Sequence, residues 1–179
     1  AARGYHRFVK RLNRFPQGAP ASQSLFEILR LLVDEKEAGL LALLPLLPFG
    51  ADKASRLWKV RLDKAQRTLD DLADRALLLD FVDENGRRFY MLPPPMAGFL
   101  EFSMMRIRED IDQRALATLL YQYLNVEGDF INALFPADEI CFGRVFVHEP
   151  ALEPPLTLEI LDYEKASEVI GTAGSIGVS

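Results

Sequence analysis

The chain has 179 residues, a length that favours one medium domain or two small ones. Its composition, 49% hydrophobic and 26% charged, can bury a real core. With 21 basic and 26 acidic residues the net charge is −5, so no overall cationic field draws the whole chain to nucleic acid or an anionic membrane. A single cysteine, Cys141, and two histidines, His6 and His148, exclude an internal disulfide. They also exclude a cysteine-built zinc or iron–sulfur site and a histidine-rich metal site made by this chain alone.

The charge is unevenly placed. Residues 1–20 carry Arg3, Arg7, Lys10, Arg11 and Arg14 and no acid. Residues 21–95 hold 11 basic and 12 acidic residues, and residues 96–179 hold 5 basic and 14 acidic. The start therefore reads as a basic arm over residues 1–24, able to touch phosphate or to lie on the acidic end of its own chain. The matching charge within the chain favours the second. No apolar stretch follows Arg14 as a secretory signal requires. The uncharged run from Ala38 to Ala51 is 14 residues long and broken by Pro45 and Pro48, too short to span a bilayer. A cytoplasmic protein with no membrane partner is the expectation.

Residues 25–95 give the clearest pattern. Ser24 with Glu27 has the spacing of a capping box. Leu25, Phe26, Ile28, Leu29, Leu32 and Val33 then recur at helical spacing, and the helix continues or restarts through Glu35–Leu44. Ala51–Trp58 predicts a helix with Ala54, Leu57 and Trp58 on one face. After a turn at Val60–Arg61–Leu62, Asp63 is expected to cap a second helix whose buried stripe is Ala65, Leu69, Leu72 and Ala73. Leu77–Val82 reads as a strand, Asn85–Gly86 as a two-residue hairpin turn, and Arg87–Leu92 as the return strand with Phe89 and Met91 on one face. Helix, helix, turn, helix and β-hairpin is the winged helix-turn-helix order.

Pro93, Pro94 and Pro95 read as a stiff spacer and a domain edge. Over residues 96–179 a helical linker and a small α+β segment are expected. Phe99–Leu124 is one long helix or two separated near Asp110–Asp112; Asn125 stops it, and Val126–Phe135 is another helix. Cys141–Val147 and Leu156–Leu161 are strand candidates. Asp162 caps a last helix carrying Ala166, Val169, Ile170 and Ala173. The apolar ending Ile176–Val178 leads us to expect a gene product that continues past Ser179. The predicted class is mainly α, of the α+β type.

A winged helix that reads DNA places its second helix in the major groove and its wing on phosphates, and concentrates Lys and Arg on both. Here Asp63–Arg75 sets Lys64, Arg67 and Arg75 against Asp63, Asp70, Asp71 and Asp74, and the hairpin sets Arg87 and Arg88 against Asp80, Asp83 and Glu84. Only Lys53, Arg56, Lys59 and Arg61 form a clearly basic stretch. This charge favours a protein-docking or dimerising module over a DNA reader, whose contacts would be these residues with the basic arm. No catalytic constellation emerges. His148–Glu149 lacks a nearby second histidine, and Ser103, Ser167 and Ser175 lack a nucleophile elbow. Gly171, Gly174 and Gly177 do not have dinucleotide-loop spacing. Glu109, Asp110 and Asp112 read as a helix terminus, Tyr121, Tyr123, Phe99 and Phe102 as core or interface, and Cys141 as a buried small hydrophobe.

Several segments, taken together, resemble a known family: Arg11–Pro20, Leu92–Phe102, Asp110–Gln113, Gly143–Pro150, and Leu161–Glu164 with Ile176–Val178. They resemble the N-terminal, cluster-free region of bacterial 4Fe-4S ferredoxin-type iron–sulfur proteins. There a winged-helix-like region and a helical linker precede a cysteine-rich part that holds the clusters. The resemblance implies an electron-transfer or redox-sensing parent protein. The cluster cysteines would lie beyond Ser179, so the resemblance assigns no ligand, catalytic or cofactor residue to this chain.

Overall fold

The computed structural model describes residues 3–134, 167 and 170–172. The chain divides into two units, Ala1–Gly143 and Arg144–Ser179. In the second, Ser167 and residues 170–172 are helical and exposed. The expected strands Cys141–Val147 and Leu156–Leu161, with His148 and Cys141, lie outside the described residues, as do Ala166, Val169 and Ala173. The first unit is mainly helical with one small antiparallel sheet. No helix among the described residues is long and apolar enough to cross a membrane.

The basic start is itself helical. In α1 (Arg3–Leu12) Tyr5, Phe8, Val9 and Leu12 recur at helical spacing and are buried, while Arg3, Arg7 and Lys10 stay exposed. The helix lies on α3 (Glu35–Leu41) so closely that a Cβ on Gly4 would sit 2.3 Å from the Glu35 carbonyl oxygen. The Tyr5 hydroxyl donates to the Val33 carbonyl at 3.0 Å.

α2 (Gln23–Leu32) is capped by Ser22, whose side chain accepts from the Leu25 amide, and not by Ser24. Ser24 instead lies inside the first turn and donates to Glu127. The capping box belongs to α3: Asp34 accepts from the Glu37 amide at 2.7 Å, and the Glu37 carboxylate accepts from the Asp34 amide at 3.0 Å. The apolar run thus restarts as a second helix, because Val33 is extended.

α4 (Ala51–Trp58) and α5 (Leu62–Asp74) pack on each other, and Ala54, Trp58, Ala65, Leu69 and Leu72 are buried. Asp63 does not cap α5. Arg61 holds the cap position without a side-chain bond, and Asp63 pairs with Arg61 and Arg67. Both helices end on a left-handed residue that is not glycine, Lys59 and Ala76, each at φ 56°. After α5, Ala76 donates to Ala73 O and Leu77 to Leu72 O, the paired bonds of a Schellman ending. A Cβ in that conformation costs about 1–2 kcal/mol, and the extra unfolded-state freedom of glycine returns part of it. Lys59→Gly and Ala76→Gly should therefore each stabilise the protein by about 0.5–1 kcal/mol, read as a rise in the urea midpoint.

β1 (Leu79–Val82) and β2 (Arg88–Met91) pair antiparallel, with Phe81 opposite Phe89 and Asp80 opposite Tyr90. Tyr90 turns into the core, followed by buried Leu92, whereas Phe81 and Phe89 stack on the outer face with ring centroids 5.8 Å apart. On its other side Tyr90 exchanges both backbone bonds with Phe49, at 2.9 and 2.8 Å. The hairpin loop is longer than the Asn-Gly dipeptide suggests. Only Gly86 has positive φ (75°), and Asp83 organises the loop by accepting from the Asn85 and Arg87 amides and from Arg87 Nε.

Past the hairpin, Pro95–Phe99 is a π-helical turn that runs into α6 (Leu100–Phe102). The long helix or pair expected over Phe99–Leu124 is a pair, separated by residues 103–112. Asp112 caps α7 (Gln113–Tyr121) by accepting from the Ala115 amide at 2.9 Å. Asn125 does not stop this run: a second π-helical turn, Gln122–Val126, extends it. The expected helix Val126–Phe135 is broken by Gly128 at φ 73°, and α8 (Asp129–Leu134) begins after it. These elements join the same core. Phe99 packs edge-on to Phe8 at 5.4 Å, and the Tyr123 hydroxyl donates to Pro20 O at 2.9 Å.

Candidate interaction surface

The cations singled out by sequence fall into two groups with opposite chemistry. Lys53, Arg56, Lys59, Arg61, Lys64, Arg67, Arg87 and Arg88 are all exposed on α4, the turn, α5 and the hairpin. Every guanidinium among them is held by a carboxylate of the same surface. Arg56 lies 2.6 Å from Asp52, Arg61 and Arg67 lie 3.1 and 3.2 Å from Asp63, Arg87 lies 2.7 Å from Asp83, and Arg88 lies 3.1 Å from Asp70. Such exposed pairs add little stability, but they spread the positive charge thinly and place an acid beside each arginine.

Arg75, at the end of α5, faces inward. It binds Glu37 at 2.5 Å and Asp71 at 2.8 Å, and it reaches the Leu32 carbonyl at 3.5 Å. Burial works against its charge. The hydrogen bond and charge of Glu37, with those of Asp71, more than offset this and raise its pKa above the usual arginine value. Arg108 donates to the same Leu32 carbonyl at 3.4 Å while gripping Asp110 with two nitrogens. Two guanidiniums thus meet the last carbonyl of α2, that of Leu32, where the helix dipole favours positive charge. Beside Arg75, a groove of about 620 Å³ between α3 and α5 is lined by three acids, Asp34, Glu37 and Asp71, and three cations, Lys36, Lys64 and Arg67.

The hairpin is tied to α5 by a polar cluster that no sequence pattern announces. The Tyr90 hydroxyl donates to Asp70 at 2.5 Å, Gln66 donates to both, and Arg88 closes over Asp70. Burial and the neighbouring Asp70 push Tyr90 up to about 12. Partial burial opposes the Asp70 charge, but the bonds from Tyr90, Gln66 and Arg88 outweigh it and hold Asp70 below its ordinary 3.8. A carboxyl with a depressed folded pKa adds stability that is present above its unfolded value and lost as pH falls through the folded one. Asp70→Asn should therefore flatten the loss of stability below about pH 3.8 and leave the slope near neutrality unchanged, as acid titration of the unfolding midpoint would show.

The second group is the α1 face. Arg7, Lys10, Arg11 and Arg14 line one shallow depression together with Ala42, and among the described residues no acid lines it. Arg3 is exposed at the start of the helix. Comparison with protein-family models, curated proteins and solved structures finds no match. The chemistry of this chain therefore rests on its own residues.

The remaining candidates resolve locally. Ser103 is buried and donates to Leu100 O at 2.7 Å, a structural bond. Tyr123 and Phe99 are buried in the core, Phe102 is half-buried and Tyr121 is exposed. Asp110 is an ion-pair partner and Asp112 a helix cap. Among the described residues no group of three His, Cys, Asp or Glu side chains gathers to hold a metal.

Proposed function

We propose that this chain is a non-catalytic docking module built on a winged helix. The order α3, Phe49, α4, α5, β1, β2 supports the winged-helix reading, with β2 central in the small sheet and flanked by β1 and the Phe49 rung. The observation that carries docking over DNA reading is the pairing of Arg56, Arg61, Arg67, Arg87 and Arg88 with carboxylates. A phosphate approaching any of these arginines meets an acid already in place, so the counterion release that drives nucleic-acid binding is curtailed. The hairpin offers a partner protein an aromatic pair, Phe81 and Phe89, with Val82 beside it.

The segments that resemble 4Fe-4S ferredoxin-type proteins support reading this module as the N-terminal part of a cytoplasmic electron carrier or redox sensor. The clusters would be held by a further part of the gene product. Anaerobic purification of the whole gene product followed by iron and acid-labile sulfide analysis tests that assignment; a product without iron overturns it.

A DNA-binding regulator with an acidic C-terminal effector region is the second reading. It draws on Lys53, Lys59 and Lys64, which have no carboxylate within 4 Å among the described residues. Fluorescence anisotropy on duplex DNA separates the two. Docking expects weak binding indifferent to Arg56→Ala/Lys59→Ala, with a mass that rises with protein concentration. DNA reading expects affinity that falls steeply with salt and collapses in the double variant.

A further inference from the structure

The α1 depression differs from the other charged surfaces of the first unit. Arg7, Lys10, Arg11 and Arg14 stand at i, i+3, i+4 and i+7, which brings four cations to one side of the helix and its C-terminal turn. They line an open depression of about 140 Å³. Among the described residues none of the four has a carboxylate within 4 Å, whereas seven other arginines of this unit do.

One member is fixed in place. Arg11 is half-buried, and its Nε–H donates to the Ala42 carbonyl at 3.0 Å, which leaves its two terminal nitrogens for another acceptor. Burial, and then the charge of Arg14, lower the Arg11 pKa from its usual value. The free protein therefore holds these like charges together at a cost that an anion would relieve.

The dimensions set the ligand. A depression of about 140 Å³ is smaller than the pockets of roughly 300–1,000 Å³ that enclose drug-sized ligands, but it admits one tetrahedral oxyanion. Three arginine forks suit phosphate, which accepts bidentate bonds from guanidinium. We infer that Arg7, Lys10, Arg11 and Arg14 form a binding site for one phosphate group, as free phosphate or as a small phosphate monoester. This goes beyond the docking reading, since a module that docks a partner elsewhere can carry such a site and one that does not can carry it equally.

A structural role competes with this one. The cations lie near the C-terminal ends of α1 and α3, where helix dipoles favour positive charge, and Arg11 already serves the α3 end. The two roles predict opposite behaviour for Arg7→Gln/Arg14→Gln. That variant spares Arg11, whose loss would remove the bond to Ala42 as well.

The test is thermal unfolding of the full chain in chloride, inorganic phosphate or glycerol 2-phosphate at matched ionic strength, with calorimetric titration of the same two phosphate compounds. The site predicts that phosphate raises the midpoint with concentration and chloride does not. In Arg7→Gln/Arg14→Gln phosphate affinity should fall about tenfold or more, while the phosphate-free protein is as stable as wild type or more so. A response to phosphate alone assigns a free-ion site, and a response to both phosphate compounds assigns a monoester site. Equal effects of phosphate and chloride overturn the inference. So does a double variant that is destabilised without phosphate yet keeps the full phosphate shift. Binding of duplex DNA through these residues, with no response to either small phosphate compound, overturns it in favour of a nucleic-acid contact.

Discussion

Replacing Phe8 by alanine is expected to cost about 3–5 kcal/mol, the range for truncating a fully buried phenylalanine. Phe8 is 0% exposed, and its ring meets Phe99 edge-on at 5.4 Å, so the loss removes both burial and an oriented aromatic contact. The chain's single tryptophan, Trp58, is the natural probe, because it sits on α4, an element well removed in sequence from both rings. Its indole N–H donates to the Leu40 carbonyl of α3, and α3 carries α1 on its surface. In urea, the Trp58 transition should move to lower denaturant together with the far-ultraviolet circular dichroism.

Phe99→Ala should cost a similar amount. The double variant should cost less than the two together by about 0.5–1.5 kcal/mol, since each single change already breaks the ring contact. A Trp58 transition that stays in place in Phe8→Ala would mean that α1 unfolds apart from the α3–α5 core.

The importance of Phe8 is legible in the sequence but hidden by charge. Tyr5, Phe8, Val9 and Leu12 have the spacing of one buried helix face, yet the five cations among residues 3–14 draw the reading toward a basic arm. α4 and α5 are legible because Ala54 and Trp58, then Ala65, Leu69 and Leu72, repeat at helical spacing between clear breaks. Caps are less so. Ser22 and Ser24 both offer a hydroxyl two residues apart, and only packing decides which one caps the helix start: Ser24 is drawn to Glu127, 103 residues away. The same capping-box rule that misplaces one helix start fits Asp34 and Glu37.

Local propensity alone makes Asn85–Gly86 a two-residue turn. Asp83 instead gathers the Asn85 and Arg87 amides and the Arg87 guanidinium around its carboxylate, and that sets a longer loop. The candidate surface shows the same limit. The pairs at i, i+4, such as Asp52 with Arg56 and Asp63 with Arg67, follow from spacing. Glu37 with Arg75 and Asp70 with Arg88 join residues 38 and 18 positions apart, and no local pattern announces them. These long-range pairs distinguish an arginine that carries structure from one that offers its charge to a partner.

Arg75→Ala should accordingly be the most damaging change among the charged residues, costing about 2–3 kcal/mol. Loss of one partner from a buried ion pair costs roughly 3–5 kcal/mol, and the figure is reduced here because the Arg75 and Glu37 side chains remain 18% and 23% exposed. The substitution strands Glu37, which also closes the α3 capping box, and removes one of two guanidiniums on the Leu32 carbonyl. Arg75→Lys should recover little, because a single ammonium cannot span Glu37, Asp71 and Leu32 O as a planar fork does. Arg67→Ala is the control: its pair with Asp63 is exposed on both sides, and its loss should fall within about 0.5 kcal/mol. Urea midpoints of the three variants decide the matter. If Arg75→Ala costs no more than Arg67→Ala, the Arg75 cluster is an ordinary surface ion pair, and the joining of α2, α3 and α5 must rest on apolar contact alone.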